Sequence, residues 1–439
     1  MRSAVRSVGW AFGLRRITVL GLGQTGRALV SALAPAEVSL FLSEKRRLSP
    51  EERRFLHGHG VRWEEGGHSE QALDADLLVP SPGVSSHAPV LQEARAQGLL
   101  IWSEIELAFR LARPKVLIAV TGTNGKSTTT ELVGAILAAG GLAPVVAGNI
   151  GRPAISTVDE VAGRPWVLEV SSYQLEWTFA FRPTVAVWLN FAPDHLDHHR
   201  TLGAYFAAKA RILARQTADD TAVLPPELLA RVAVRGRGVD YTQAVLPAGW
   251  GEGLPAHLGD DLRAAWAAAC AAFPELSARP PSYREIQPAL RQPHRLEPVG
   301  EYRGIPFVDD SKGTNAHATA AALRAVAGPV VLILGGRHKG GGYEALAPLL
   351  RDKARHCVLI GESQRYFAAL LDGWGVPYEL ARDPLDALRR AYQVAKPGDT
   401  VLLSPACASF DQFRDYAHRG EAFRRAFAQL SAGDVPSVP

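Results

Sequence analysis

Cysteine is nearly absent from this chain: Cys270, Cys357 and Cys407 are its three, scattered through 439 residues. A disulfide framework and a cysteine-built zinc site are thereby excluded as organising devices, and a reducing compartment, the cytoplasm, is expected. No apolar stretch approaches the length of a membrane span, so no membrane partner is expected either. Met1–Leu14 has arginines and a short apolar run, but Arg15 and Arg16 interrupt it and no small-residue cleavage site follows. A signal peptide is not expected from that pattern. Charge of one sign is also missing: the formal net charge is +4, with no long basic block. Nucleic acid is therefore not expected as the main partner. Lysine is rare, eight of 48 basic residues, a bias that reflects genome composition more than fold. Four of the eight, Lys126, Lys209, Lys312 and Lys339, nevertheless fall inside the motifs that follow.

What is present is ordinary globular composition, 47% hydrophobic and 21% charged. The length exceeds one ordinary core and predicts two to four domains. The most informative stretch is an apolar run, Val116–Val120, feeding Thr121-Gly-Thr-Asn-Gly-Lys-Ser-Thr128 and then a helical pattern. Strand, glycine loop and helix in that order let backbone N–H groups close around phosphate oxygens, with the helix dipole adding positive potential. Lys126 is placed to reach the β- and γ-phosphates, and Ser127 or Thr128 to set a hydroxyl on Mg2+. The general phosphate-loop pattern asks for glycine at position 120, where this chain has Val. It is a shortened variant, and it predicts ATP binding through Gly122, Thr123, Asn124, Gly125, Lys126, Ser127 and Thr128.

Upstream, the strand Arg16–Leu20 runs into Gly21-Leu-Gly-Gln-Thr-Gly26, the turn of a nucleotide-binding βαβ unit, with a helix predicted over Arg27–Leu33. Glu44, after the run Val38–Leu42, stands where such folds place a ribose-binding carboxylate. Alone, this turn suggests NAD as readily as any other nucleotide. A strand at Asp76–Val79 ends in Pro80-Ser-Pro-Gly-Val84, where Ser81 and Gly83 offer phosphate donors or simply form a proline-stiffened turn.

Downstream of the phosphate loop, Ala147-Gly-Asn-Ile-Gly151 presents Asn149 between glycines. The strand Trp166–Val170 carries Glu169 at its end, a Mg2+ ligand position in a phosphate-loop fold or else a carboxylate paired with an arginine. Thr184–Leu189 delivers Asn190-Phe-Ala-Pro-Asp-His-Leu-Asp-His-His199, dense enough in Asp and His to be a metal or catalytic group; zinc is the rival to Mg2+ there. Lys209 lies off the main apolar stripe of a predicted helix, Leu202–Leu213, where a lone lysine is normally solvated. Residues 215–260 carry no recognisable chemistry, and an alanine-rich helix is predicted over Ala264–Ala272.

From Pro293-His-Arg-Leu-Glu297 a new βα series begins. Its strands end in Asp310-Ser-Lys-Gly-Thr-Asn315, Gly335-Gly-Arg-His-Lys-Gly340, Gly361-Glu362 and Ser404-Pro-Ala-Cys-Ala-Ser-Phe-Asp411. Ligands of an open parallel sheet bind outside the strands' C-terminal edge, so these loops converge on one site. Lys312 and Lys339 would face anionic groups there, with Ser409 near a small ligand.

Together these motifs resemble the Mur ligase family of peptidoglycan synthesis, from Gly21 to Phe423. Gly122–Ser127, Gly148–Gly151, Glu169-Val-Ser-Ser-Tyr-Gln174, Asp194-His195, Lys209 and His294-Arg295 carry the family likeness. Asp310–Asn315, Leu402–Phe413 and Arg419-Gly420 resemble its D-glutamate-adding branch. The resemblance implies an α/β fold of three domains. These are an N-terminal Rossmann-like UDP-binding domain over 1–104, a central P-loop ATPase-like domain over 105–291 and a C-terminal Rossmann-like, amino-acid-binding domain over 292–439. It implies a monomer that uses ATP and two Mg2+ ions to join D-glutamate to UDP-N-acetylmuramoyl-L-alanine through an acyl phosphate.

By the same resemblance Lys126, Glu169, His195 and Lys209 are catalytic. Ser127, Glu169, His195 and a carbamylated Lys209 hold metal, and Arg295 and Asp310 flank the adenine nucleotide. Gly23, Gln24, Thr25, Glu44, Arg46, Ser81, Gly83, Asn149 and Gln174 serve the UDP-sugar. Lys312, Thr314, Lys339, Ser409, Phe410 and Tyr416 serve D-glutamate. The chain departs from the family pattern at His257-Leu258, where His-Asn is usual. A folylpolyglutamate-type synthetase would lack the Asp310–Asn315 and Ser404–Phe413 pair. An NAD oxidoreductase would leave Lys126, Glu169 and Asp194–His199 unexplained. A non-catalytic UDP-sugar scaffold would not need Lys126, Glu169, His195 and Lys209.

Overall fold

The computed structural model describes residues 12–432, so most of Met1–Leu14 lies outside the described residues. Three sheets alternate with helices along the chain. The first is all parallel in the order β3-β2-β1-β4-β5, from β1 (Arg16–Leu20), β2 (Ser39–Glu44), β3 (Arg62–Glu65), β4 (Leu77–Pro80) and β5 (Leu100–Ile101). The second is also parallel, in the order β11-β10-β9-β6-β8-β7. Its strands are β6 (Leu117–Thr121), β7 (Val145–Gly148), β8 (Trp166–Glu169), β9 (Val185–Trp188), β10 (Thr221–Leu224) and β11 (Arg237–Asp240). The third runs β12-β13-β17-β14-β15-β16. It is built from β12 (Glu297–Tyr302), β13 (Ile305–Asp309), β14 (Val330–Gly335), β15 (Ala354–Ile360), β16 (Tyr378–Leu380) and β17 (Thr400–Leu403).

Central strands such as β6 and β14 are apolar apart from Thr121 at the end of β6, and are buried on both faces, as helices on each side of a parallel sheet require. The β12–β13 hairpin is antiparallel, an edge that the expected βα series did not contain. The partly exposed β12 and the charged β3 segment, Arg-Trp-Glu-Glu, lack apolar runs, which is why these two strands were not expected, whereas β13 matches the expected strand Ile305–Asp309. The helix Gln24–Leu33 begins inside the glycine motif, three residues ahead of Arg27. The alanine-rich helix spans Ala256–Ala272, and residues 215–260 contribute β10 and β11.

Two compact units result. One takes the chain through Phe191 and then Thr201–Leu290; the other takes Ala192–Arg200 and the chain from Arg291. Within the first unit, Trp102, Ile105 and Leu107 share one continuous core with Leu20-side residues such as Val19 and Leu29 and with Ile155, Leu168 and Trp188. The first two sheets are thereby packed as one body around the helix Glu104–Ala112. The second unit has its own cores on the two faces of the third sheet.

Candidate active site

In the first unit, a cavity of about 1180 Å³ opens at the C-terminal ends of β1, β2 and β4. Its wall includes Gly21–Thr25, Glu44–Arg46, Gly67-His68, Ser81–Ser85 and Asn149. The glycine turn is held tightly: a Cβ on Gly26 would stand 2.0 Å from the Gly21 carbonyl oxygen. Only glycine lets the helix Gln24–Leu33 start so close to the strand end, which aims its N-terminal N–H groups into the cavity. Ser81 donates its hydroxyl to Gly21 O at 3.0 Å, joining the two phosphate-side loops. Gln24 reaches Gly151 O at 2.7 Å.

Glu44 lines the cavity, but its carboxylate accepts Leu22 N–H at 2.7 Å and Arg46 N–H at 3.1 Å. It shapes the glycine turn directly. The Arg46 guanidinium is forked onto Glu52 at 2.8 and 2.7 Å, and that pairing, against the cost of burial, lowers the Glu52 carboxyl to about 2.

The phosphate loop lies at the end of β6. Gly125 precedes the helix Lys126–Ala139 with φ of 84°, and a Cβ there would meet Asp261 Oδ1 at 2.2 Å. Lys126 Nζ donates to Gly122 O and Thr123 O, each at 3.0 Å, so the amine sits inside the loop's curve. Asn190, at the end of β9, accepts Thr123 N–H and Asn124 N–H and donates to Asn124 O. Tyr205 hydrogen-bonds Thr123 Oγ1 at 3.2 Å. Lys209 is not on a solvated face: it is 1% exposed, and its Nζ donates to Gly122 O at 2.7 Å. Tertiary packing, not helix periodicity, decides its place. Ser127 is half-buried and Thr128 buried in the helix's first turn.

Glu169 ends β8 beside Val120 of β6, next to the loop. It is buried; Oε1 accepts Asn149 Nδ2 at 2.9 Å, and Oε2 has no hydrogen-bond partner among the described residues. A buried, unpartnered carboxylate oxygen is costly unless a cation meets it. The donor set fits a hard divalent ion of the kind that accompanies ATP. Asn149 thus touches both the cavity wall and Glu169. Gln174 is buried and engaged in a capping box with Ser171.

In the second unit, Asp194 is buried beside Lys339 at 3.3 Å and accepts Asn315 Nδ2 at 2.9 Å and His195 N–H at 2.8 Å. Burial works to raise its pKa, but Lys339, His195 and Asn315 hold it at about 2. Lys339 also reaches Thr314 Oγ1 at 3.3 Å. His195 has left-handed backbone, φ 55°. Asp310 is fully buried, which pushes its carboxyl up to about 6 despite Arg295 at 3.6 Å and the Ser404 hydroxyl at 2.7 Å. Lys312 donates to Gln292 Oε1 at 3.0 Å. Ser409 is buried, Phe410 is 64% exposed, and Tyr416 opens the helix Tyr416–Ser431.

Two residues without an assigned role complete these loops. Asn190 staples the phosphate loop. Arg419, 1% exposed, donates to Ser311 Oγ, Ser311 O and Cys407 O, tying the Asp310 loop to the Ser404 loop. Burial lowers its pKa to about 10. Arg419 is the arginine of the quoted Arg419-Gly420 pair, which carried no assigned role; no local signal marks Asn190 beyond its place at a strand end.

Three family models match in succession: the MurD N-terminal domain over residues 16–90, the Mur ligase middle domain over 120–235, and the Mur ligase, glutamate ligase domain over 294–407. The chain is 37% identical to the UDP-N-acetylmuramoylalanine--D-glutamate ligase of Desulfitobacterium hafniense (strain Y51), covering 93% of this chain and 96% of that protein. It is 38% identical to the enzyme of the same name from Geobacter metallireducens, over 96% and 99%. Among solved structures, MurF ligase from Thermotoga maritima in complex with ADP is similar in fold, with a TM-score of 0.57 at 16% identity over 99% of this chain and 100% of that one. UDP-N-acetylmuramate-alanine ligase MurC from the same organism gives 0.55 at 18% identity, over 95% and 100%.

Proposed function

The chain belongs to the Mur ligase family, whose members use ATP and Mg2+, and from that premise we propose that it joins D-glutamate to UDP-N-acetylmuramoyl-L-alanine in the cytoplasm. The observation that carries this reading is the agreement with D-glutamate ligases over nearly the whole length of both chains. A carboxylate is a poor electrophile, so the reaction proceeds in two steps. A carboxylate oxygen of the L-alanyl group attacks the γ-phosphorus, the bond to the β-phosphate breaks, and ADP leaves an acyl phosphate. The D-glutamate amine then attacks the carbonyl carbon, gives up a proton, and inorganic phosphate departs as the amide forms.

The protein's task is alignment and charge neutralisation. The domains are taken as 1–104, 105–291 and 292–439. The first-unit cavity holds the UDP-sugar, with Gly23, Gln24, Thr25, Ser81 and Gly83 at its phosphates and Glu44, Arg46, Asn149 and Gln174 in support. Gly122–Thr128 hold ATP, with Lys126 offsetting charge on the transferred phosphoryl group. Arg295 and Asp310 flank the adenine nucleotide. Glu169 and Ser127 would hold Mg2+, which would supply neutralisation of phosphate charge, a reading supported by the unpartnered Glu169 oxygen. By the family resemblance, His195 and a carbamylated Lys209 would serve a second ion. Carbamylation would take the ammonium, by loss of one proton, to the amine, which joins CO2 and loses a second proton, so that a cation becomes an anionic oxygen ligand. Lys312, Thr314, Lys339 and Ser409 serve the D-glutamate carboxylates, with Phe410 and Tyr416 beside them. The protein acts as a monomer.

The test is ADP release by the purified protein with Mg-ATP and UDP-N-acetylmuramoyl-L-alanine, offered D-glutamate, L-glutamate, L-alanine, L-lysine or diaminopimelate one at a time. Release with D-glutamate alone is expected. Release with another amino acid instead would contradict the assignment of Lys312 and Ser409. No release with any of them would contradict catalysis.

A further inference from the structure

The base end of the first-unit cavity contains a hydrogen-bond chain that none of the glycine motifs includes. His68 lines the cavity just beyond β3, beside Glu44 and Lys45 at the end of β2. These two strands lie on the side of β1 opposite β4. The glycine turn, Gly21–Gly26, and the Ser81–Gly83 loop stand at the ends of β1 and β4, so a nucleoside diphosphate anchored there extends its base toward β2 and β3.

The Ser43 hydroxyl, fully buried, contacts two partners at 2.6 Å: Glu64 Oε1 and His68 Nδ1. Glu64 is ionised: burial opposes this, but the Ser43 and Ser69 hydrogen bonds lower its pKa. A carboxylate only accepts, and a hydroxyl has one proton, so Ser43 donates to Glu64 and accepts from His68 Nδ1–H. Burial keeps the imidazole neutral, against the pull of Glu64 and Glu44 and with the help of Lys45. A neutral ring protonated on Nδ1 has a bare lone pair on Nε2. No hydrogen bond to Nε2 is formed among the described residues. The other acidic acceptor on this wall, Glu44, is already engaged by Leu22 and Arg46 N–H groups.

We propose that His68, fixed in one tautomer by Ser43 and Glu64, is a specificity-determining residue that accepts a hydrogen bond from uracil N3–H. The inference rests on the reading of this cavity as the UDP site. Uracil N3 carries a proton; cytosine N3 carries a lone pair and would face the imidazole lone pair to lone pair. One hydrogen bond gained against one repulsive contact is worth about tenfold in affinity.

The experiment is calorimetric titration of the full chain with UDP, CDP and Mg-ADP. The wild type is expected to prefer UDP over CDP by about tenfold. His68→Ala should bind the two pyrimidine nucleotides alike, with UDP affinity lowered, CDP affinity equal to or above that of the wild type, and Mg-ADP affinity unchanged. His68→Gln, whose amide oxygen can accept, should retain part of the preference. If His68→Ala does not fold, Ser43→Ala decides, because freeing the tautomer should narrow the preference while the ring stays in place. A wild-type preference unchanged in His68→Ala, or in Ser43→Ala when that variant is the one that decides, overturns the role of His68 and leaves the cavity reading standing. A wild type that binds Mg-ADP but neither pyrimidine nucleotide overturns the cavity reading, and the inference with it.

Discussion

The first unit contains the same backbone device twice. At Gly21–Gly26 and at Gly122–Ser127, a parallel strand runs through glycines into a helix whose N-terminus faces outward. Their surroundings differ. The first turn has Glu44 accepting its Leu22 N–H, and its neighbours are the Ser81 hydroxyl and a cavity of about 1180 Å³. The second has two lysines donating to Gly122 O, an asparagine stapling it, and a buried carboxylate oxygen left unpartnered beside it. Strand, glycine turn and helix N-terminus suit an anion in both places, and on the proposed reading the charged side chains decide which one would only hold phosphate and which one would transfer it.

The sharpest way to break this contrast is to remove the cation. Lys126→Ala should lower kcat by about 10²–10³-fold while leaving UDP affinity unchanged, read by steady-state kinetics and calorimetry. Equal loss of UDP binding would mean that the two loops are not separate devices. Next in size, Glu169→Gln should reduce turnover about a hundredfold, and the rise in melting temperature expected of the wild type on adding Mg2+ should be absent from the variant. A Mg2+-induced rise that survives in the variant would place the ion elsewhere.

Glu104 sharpens the comparison from the joint between the two sheets. Its carboxyl is fully buried and pushed up to about 7, and Oε1 accepts Ile155 N–H at 2.5 Å, just beyond the loop that bears Asn149. Burial raises the folded pKa above the ordinary 4.5, so its stabilising protonated form is complete below pH 4.5 and lost as pH rises to about 7. The loss is on the order of 3 kcal/mol. Denaturant titrations across that range should show this decline in the wild type and its absence in Glu104→Gln. The smallest effect is expected from Gly26→Ala, about 1–3 kcal/mol from the clash with Gly21 O, with UDP affinity weakened and ADP affinity kept.

Both glycine loops, the central strands and their parallel order were legible because strand, turn and helix signals there are local. Lys209 was not legible as a buried residue. Its helix also carries Leu202 at 43% exposure, so its apolar stripe does not mark what is inside. The buried amine of Lys209 donates to Gly122 O, far away in sequence. Glu44 stood at the spacing of a ribose-binding acid, yet its carboxylate is engaged by backbone N–H groups, a partner choice that spacing does not encode. Ala192–Arg200 falls in the second compact unit although its neighbours on both sides fall in the first. Asp194 bonding Asn315 and Lys339 is a long-range arrangement without a local signature.

The account's central claim is that the lysine-bearing loop phosphorylates a carboxylate carried by the ligand of the other loop. Heavy-oxygen labelling of the L-alanyl carboxylate in UDP-N-acetylmuramoyl-L-alanine tests it directly, by mass analysis of the inorganic phosphate released with D-glutamate. A labelled oxygen transferred to phosphate is the predicted result. Turnover that releases only unlabelled phosphate would contradict it.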